Sequence, residues 1–310
     1  MNRVSLPDSL PVLTVERGDG CSGLFELLEQ RLSVAGIRVR NLVDGEAAQI
    51  RRKTALLEEC ACCDLLLIEG AEDRWGRSLF LGASFDCRQL QVDDGFVCRS
   101  RNDVDSCFTE IMNWLVACQQ KVPVVGCILI GGKSRRMGRP KQLIVDKSRN
   151  RTWLEIGVEK LHPWVDHIVL SGKGSVPMAL KPLQRLSDLD GMDGPMSGIG
   201  AVMQAYPLAS ILVLASDMPF VETGSIDWLL SQRSPGRSAV VPHNKLTGRS
   251  EPLFAWYDFR CRPFLKELAA KRKFRMQYIC AFDSVYEPEI PASILGSWRN
   301  LNYPEDVSRV

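Results

Sequence analysis

At 310 residues, with 45% apolar and 25% charged side chains, the chain is long for one domain and apolar enough to fill two cores. Its apolar runs stop short of the ~18 residues a membrane helix needs, and the opening MNRVSLPDSLPVLTV lacks the apolar stretch of a secretory leader, so no membrane role and a cytoplasmic location are expected. The formal charge of +2 hides an asymmetry: residues 1–120 carry 13 Lys+Arg against 19 Asp+Glu, residues 121–310 carry 26 against 18. The basic second half suits small phosphorylated molecules. It lacks the dense cationic stripes and stacked aromatics of a nucleic-acid surface, so no nucleic acid is expected as a partner.

In chain order, PVLTV (11–15) reads as a strand, and GCSGLFELLEQRLSVAG (20–36) as a helix with leucines at helical spacing that stops on Gly36. IRVRNLV is a second strand, EAAQIRRKTALLEE a helix, and DLLLIEG (64–70) a buried strand. DVDSCFTEIMNWLVACQQ (103–120) is an amphipathic helix with Asp105 or Ser106 as its cap. QQKVPVV (119–125) is the seam, and a second series begins there. VVGCILI is a strand, TWLEIGVEKLHPW a helix, HIVLSG a strand, PMSGIGAVMQAY a helix and ILVLASD (211–217) a strand. SAVVP and EPLFAWY follow, then the helix CRPFLKELAAKRK and a turn-rich end. The expected fold class is α/β in two domains, 1–120 and 121–310, each around a mostly parallel sheet.

Eight of the eleven cysteines precede residue 120, three of them in ECACC (Cys60, Cys62, Cys63). Without an export signal they read as thiols rather than disulfides. The cluster could hold a metal, but it runs into an apolar strand and has no histidine beside it, so buried or incidental thiols are the expectation.

The stretch CILIGGKSRRMGRPKQLIV (127–145) raises a sharper question: why place so many cations where a strand ends? Ligands of open parallel sheets bind at the carboxyl ends of strands. Gly131 and Gly132 let the backbone approach a phosphate, consecutive N–H groups form an anion hollow, and Arg135, Arg136 and Lys141 add charge. Two further strand ends supply carboxylates, Asp188 in LSDLDGMDGPMSGI and Asp217 in LVLASDMPF. A carboxylate after a buried strand needs a cation or a donor, and Mg²⁺ is the natural one where phosphates gather. Alternatively, the loop is a solvated basic turn and Asp217 a helix cap. Asn300 and Asn302, before Pro304, could bring an amide to the same place.

ILIGGKSRRMGRPK, then DLDGMDGPMSGI, then SDMP, then NLNYPED resemble, in that order, the molybdenum cofactor guanylyltransferases, or MobA-like proteins, over about 125–310. RSEPLFAWYD (249–258) resembles the segment those enzymes place beside the acceptor. The resemblance implies a Rossmann-like nucleotidyltransferase domain and a set of roles. Ile130, Gly131 and Gly132 hold the nucleotide by backbone. Arg136 and Lys141 hold the triphosphate and offset charge as pyrophosphate leaves. Asp188 lies near guanine or ribose, Asp217 binds Mg²⁺, and Asn302 completes the metal site. The implied reaction joins GTP to molybdopterin, giving the guanine dinucleotide cofactor and pyrophosphate. Ser171 stands where relatives often have asparagine near the base, and GRPK resembles the cytidylyltransferase branch equally well, so CTP is the alternative donor, with other nucleotidyl transfers on the same scaffold behind it.

The first half resembles, more loosely and over about 11–118, the small MobB-like GTP-binding adaptor of the same pathway, which has a P-loop-NTPase-like fold. Gly18 and Gly23 keep the phosphate-loop spacing G-x-x-x-x-G, but Leu24 and Phe25 replace its lysine and hydroxyl residues. Glu69 would face the phosphate site. The expectation is a disarmed adaptor whose partner is the enzyme half, the cofactor, or a recipient molybdo- or tungsto-enzyme or its chaperone.

Overall fold

A computed structural model describes residues 3–4, 7–43, 53–69, 74–75, 77–83, 95–131 and 140–301. The chain divides into two compact units, Met1–Val122 with Ser234–Gly236, and Pro123–Arg233 with Arg237–Val310. Among the described residues, no helix is long and apolar enough to cross a membrane.

The first unit runs β1 (Val12–Arg17), α1 (Leu24–Val34), β2 (Val39–Leu42), α2 (Lys53–Cys60), β3 (Leu65–Glu69), β4 (Arg77–Leu81), β5 (Gly95–Cys98) and α3 (Val104–Gln120). These strands form a five-stranded sheet in the order β2-β3-β1-β4-β5, every pairing parallel, beside a two-stranded pairing of Arg3–Val4 with Arg74–Trp75. Val12 to Val15 are buried without alternation, as in a sheet covered on both faces. Leu24, Leu28 and Leu32 of α1 meet Ile111 and Leu115 of α3 and the strand leucines in one core. Gly36, at φ 81°, ends α1: its N–H bonds to the Ser33 carbonyl while Ile37 N–H bonds to that of Leu32, a Schellman stop.

β4 and β5 were absent from the sequence reading. RSLFL and GFVC are short runs with no helical or alternating period to mark them. The expected cap of α3 also moves. Ser100 and Asp103 form a reciprocal capping box one turn earlier, and Asp105 instead pairs with Arg31 at 2.8 Å.

The second unit runs β6 (Val124–Leu129), α4 (Trp153–Leu161), β7 (His167–Ser171), β8 (Gln184–Leu186), α5 (Pro195–Ala205), β9 (Ser210–Ala215), α6 (Thr223–Ser231), β10 (Ala239–Val240), β11 (Phe254–Tyr257), α7 (Arg262–Ala270) and β12 (Val285–Tyr286). Its described sheet is seven-stranded, ordered β8-β7-β6-β9-β11-β10-β12. β6 to β9 are mutually parallel, and β11 runs antiparallel between β9 and β10. α5 and α7 cover one face with Ile199, Val202, Leu265 and Leu268. α4 and α6 cover the other with Leu154, Leu161, Ile226 and Leu229. This is the doubly wound α/β arrangement, and it sets the carboxyl ends of β6, β7 and β9 side by side.

Candidate functional site

The end of β6 is held rigidly. Ile130 is fully buried, its N–H bonds to the Ser171 carbonyl at 2.8 Å, and its own carbonyl receives the Gly174 N–H at 3.0 Å. That close approach needs glycine at 172, where φ is 116° and a Cβ would sit 2.4 Å from the Ile130 oxygen. The next residue, Gly131, is different: it is exposed, and a Cβ there would meet none of the described residues within 4 Å. The backbone is therefore locked up to 130 and open at 131. Gly132, Arg135, Arg136 and Asn302 lie outside the described residues.

Lys141 opens a 3₁₀ turn, Lys141–Leu143, behind Pro140. Gln142, 5% exposed, anchors the turn by donating to the Ser175 carbonyl at 3.2 Å. Ile144 packs with Trp153, Leu301 and Phe220 in a small apolar cluster. Asp217 follows β9, where Ser216 N–H reaches the Leu129 carbonyl at 3.3 Å and so draws the β6 and β9 ends together. Between the two loops, Lys141 Nζ stands 2.9 Å from Asp217 Oδ2, with side chains 16% and 23% exposed. The structure thus joins Ile130, Gly131, Lys141 and Asp217 around one rim. Asp188 is placed elsewhere on that rim: it is exposed after β8, two strands from β6.

Ser171 ties β7 to the neighbouring helix. Its side chain is buried and donates to the Gly198 carbonyl at 3.1 Å, fixing β7 to α5. A Cβ on Gly198 would come within 2.8 Å of that hydroxyl.

Sequence reasoning missed the mount beneath Asp217. Leu301 N–H donates to the Asp217 carbonyl at 3.2 Å. Lys160, on α4, donates to the carbonyls of Pro219 (3.3 Å) and Val221. Burial pushes its ammonium below the usual lysine range. Glu222 N–H reaches Ser297 Oγ at 3.2 Å, and the Arg299 guanidinium lies 5.5 Å over the Phe220 ring. A lysine on an amphipathic helix carries no sequence signal of such a role. Only the capping pattern TWLE left a mark, and it fixes the start of α4: Thr152 Oγ1 accepts from Glu155 N–H, and the Glu155 carboxylate accepts in return.

In the first unit the strand-end loop is occupied by its own chain. Gly18 N–H bonds to the Leu81 carbonyl at 2.7 Å, and the Asp19 carbonyl receives Ala83 N–H at 2.8 Å. A Cβ on Gly82 would be 2.7 Å from that carbonyl, so the chain at 82 lies tightly against Gly18 and Asp19. Leu24 and Phe25 point into the core. Glu69 takes both Arg17 nitrogens at 2.9 Å and Asn41 Nδ2 at 3.1 Å, and Arg17 stacks 4.8 Å over Phe25. The hydrogen bond to Glu69, ahead of all else, raises the Arg17 pKa. Of the cysteine cluster, Cys60 and Cys63 are buried, and Cys62 is exposed. Among the described residues no three His, Cys, Asp or Glu converge to hold a metal.

Residues 126–281 match the MobA-like NTP transferase domain family. A probable molybdenum cofactor guanylyltransferase of Halalkalibacterium halodurans is 24% identical over 59% of this chain and 96% of the relative. Another so described, from Methanosarcina mazei, is 30% identical over 59% of this chain and 88% of the relative. The crystal structure of molybdopterin-guanine dinucleotide biosynthesis protein A from Archaeoglobus fulgidus superposes with a TM-score of 0.50 at 23% identity, covering 60% of this chain and 95% of that one, and shares the fold.

Proposed function

The chain belongs to the MobA-like NTP transferase family, and we propose from that premise that it transfers GMP from GTP to the terminal phosphate of molybdopterin, releasing pyrophosphate. The observation that carries this reading is the 2.9 Å pair of Lys141 and Asp217 beside the open backbone at Gly131, on the carboxyl rim of parallel strands. In the reaction a molybdopterin phosphate oxygen bonds to the α-phosphorus of GTP, the α–β bridging bond breaks, and its electron pair leaves with pyrophosphate. Little covalent work falls to the protein. It must bring two anions together and offset the charge that develops.

In this reading the Ile130–Gly131 backbone admits the triphosphate, since none of the described residues fills the space a side chain would take at Gly131. Lys141 swings from Asp217 to a phosphate oxygen and neutralises the leaving group. Arg136 and Gly132 are assigned to the same triphosphate, and Asp188 to the base or ribose side. The single carboxylate of Asp217 fits Mg²⁺, which commonly takes one or two carboxylates and completes its shell with phosphate oxygens and water; Asn302 is assigned as a further ligand. Bound there, Mg²⁺ would draw charge from the triphosphate.

The first unit, in the same reading, is a MobB-like adaptor with a disarmed loop. Its parallel sheet and the loop between β1 and α1 support that reading, and its partner would be a recipient molybdo- or tungsto-enzyme or its chaperone. The transfer itself is tested by incubating the chain with Mg²⁺, molybdopterin and GTP or CTP and following pyrophosphate. Release with GTP at least tenfold faster than with CTP is expected. Preference for CTP would move the chain to cytidylyl transfer, and no release with either would end the assignment.

A further inference from the structure

We infer that Lys160 is a positioning residue for the carboxylate of Asp217, acting through the backbone of the loop that carries it. The inference rests on the transfer reading above for the role of Asp217, and on geometry alone for the role of Lys160.

The loop from Asp217 to Glu222 crosses from the end of β9 to the start of α6, and it is pinned on each side of the carboxylate. On the strand side, Ala215 N–H bonds to the Leu253 carbonyl at 2.9 Å and Ser216 N–H to that of Leu129 at 3.3 Å. On the helix side, Glu222 N–H meets Ser297 Oγ at 3.2 Å and Val221 is buried against α4 and α6. The stretch in between turns two carbonyls, those of Pro219 and Val221, toward α4, and the Lys160 ammonium receives both. A half-buried ammonium gives up hydration to sit there, and the two carbonyls would each lose a partner without it. Fifty-seven residues separate Lys160 from Asp217 in sequence, yet one side chain fixes the curvature of the loop two residues beyond the carboxylate. Phe220, between the two bonded carbonyls, packs on the cluster of Ile144, Trp153 and Leu301. The same clasp therefore reaches the turn of Lys141. Small displacements at such supporting residues are enough to misplace a reacting group.

The test uses the full chain with Lys160→Met and Lys160→Arg. Methionine keeps the length and removes the donors; arginine keeps them. Three readouts apply: Mn²⁺ half-saturation with GTP by electron paramagnetic resonance, deuterium uptake of the peptide spanning 213–222, and kcat against KM for GTP. Expected for Lys160→Met are a rise of about tenfold in Mn²⁺ half-saturation, faster exchange confined to that peptide, and a kcat about tenfold lower with KM for GTP within about twofold. Lys160→Arg should restore all three. If Lys160→Met leaves Mn²⁺ half-saturation and the 213–222 exchange as in the parent, the inference is wrong. A fall in thermal stability with both unchanged would likewise make Lys160 a purely structural residue and overturn it. Should the parent chain release no pyrophosphate, the transfer reading fails by itself, and the binding and exchange measurements still decide Lys160.

Discussion

Lys141 and Asp217 are each other's counter-ions: the ammonium nitrogen and a carboxylate oxygen stand 2.9 Å apart, contributed by loops 76 residues distant in sequence. Neither charge could sit so far from water alone, and each is poised to exchange its partner for a ligand of the same sign. In the proposed reaction a triphosphate would compete for the lysine and a divalent cation for the carboxylate, so that binding of both would replace one ion pair with two.

Replacing either member removes that exchange. Asp217→Ala and Lys141→Ala are each expected to lower kcat by about 10²–10³-fold, the scale of a lost charge-stabilising contact. Pyrophosphate release under saturating GTP reads it. Near-parental turnover in both variants would remove the site from this rim.

Gly172 holds the end of β6 through its close approach to the Ile130 carbonyl. Alanine there must place a Cβ 2.4 Å from that oxygen at φ 116°. The expected cost is about 1–3 kcal/mol of stability, with a raised KM for the nucleotide because the Ile130–Gly131 backbone shifts. Thermal melting and steady-state kinetics check it; an unchanged KM would mean that this backbone does not contact the nucleotide.

The Thr152–Glu155 box supplies a pH-dependent increment to α4. The Thr152 hydroxyl, and after it the Thr152 N–H, hold the Glu155 carboxyl below its ordinary value. A depressed folded value stabilises above the unfolded value of about 4.3 and is lost as pH falls through the folded one. Thr152→Ala should cost about 1 kcal/mol at pH 7, and Glu155→Gln should differ from the parent at pH 7 but converge on it in acid, below the lowered folded value of Glu155. Urea unfolding at the two pH values reads both; a gap that widened in acid would contradict the box.

How much of this was written in the sequence varies by residue. Asp217 and Lys141 were legible because charge directly after an apolar strand has few structural excuses, and Gly131 because glycine permits close approach. The bond of the Ser171 hydroxyl to Gly198 was illegible, because it is set by how α5 packs on β7 and is absent from any local pattern. Lys160, Trp153 and Leu301 were illegible for the same reason. Each looks like an ordinary helix, core or loop residue until the fold brings it under the 217 loop. β4 and β5 escaped because RSLFL and GFVC show neither alternation nor a longer unbroken apolar run to separate them from the turns around them.

Burial pushes the thiols of Cys107 and Cys127 up to about 12. Among the described cysteines, Cys62 is the exposed one and should react first with iodoacetamide at pH 7.5, with Cys107 and Cys127 unmodified until the chain unfolds. Mass spectrometry of the labelled peptides checks the order. Early loss of Cys127, in the core strand β6, would show that the second unit opens readily.

Gly18 and Asp19, at the start of the Gly18–Gly23 loop, bond to Leu81 and Ala83, and Arg17 occupies Glu69. Equilibrium dialysis of the full chain against GTP should saturate at one nucleotide per chain. A second equivalent that survives Lys141→Ala would rearm the first unit.

The reversed strand β11 changes what this architecture can vary. It begins, rather than ends, at the ligand rim, where Leu253 receives the Ala215 N–H, and the short hairpin pairing His243–Asn244 with Arg249–Ser250 leads into it. Insertions in that hairpin can lengthen or reshape that side of the rim without moving β6 or β9. In the transfer reading, the side of the rim beside that hairpin could vary toward new acceptors while the ends of β6 and β9, assigned to the nucleotide, keep their place, a division of labour imposed by the direction of a single strand.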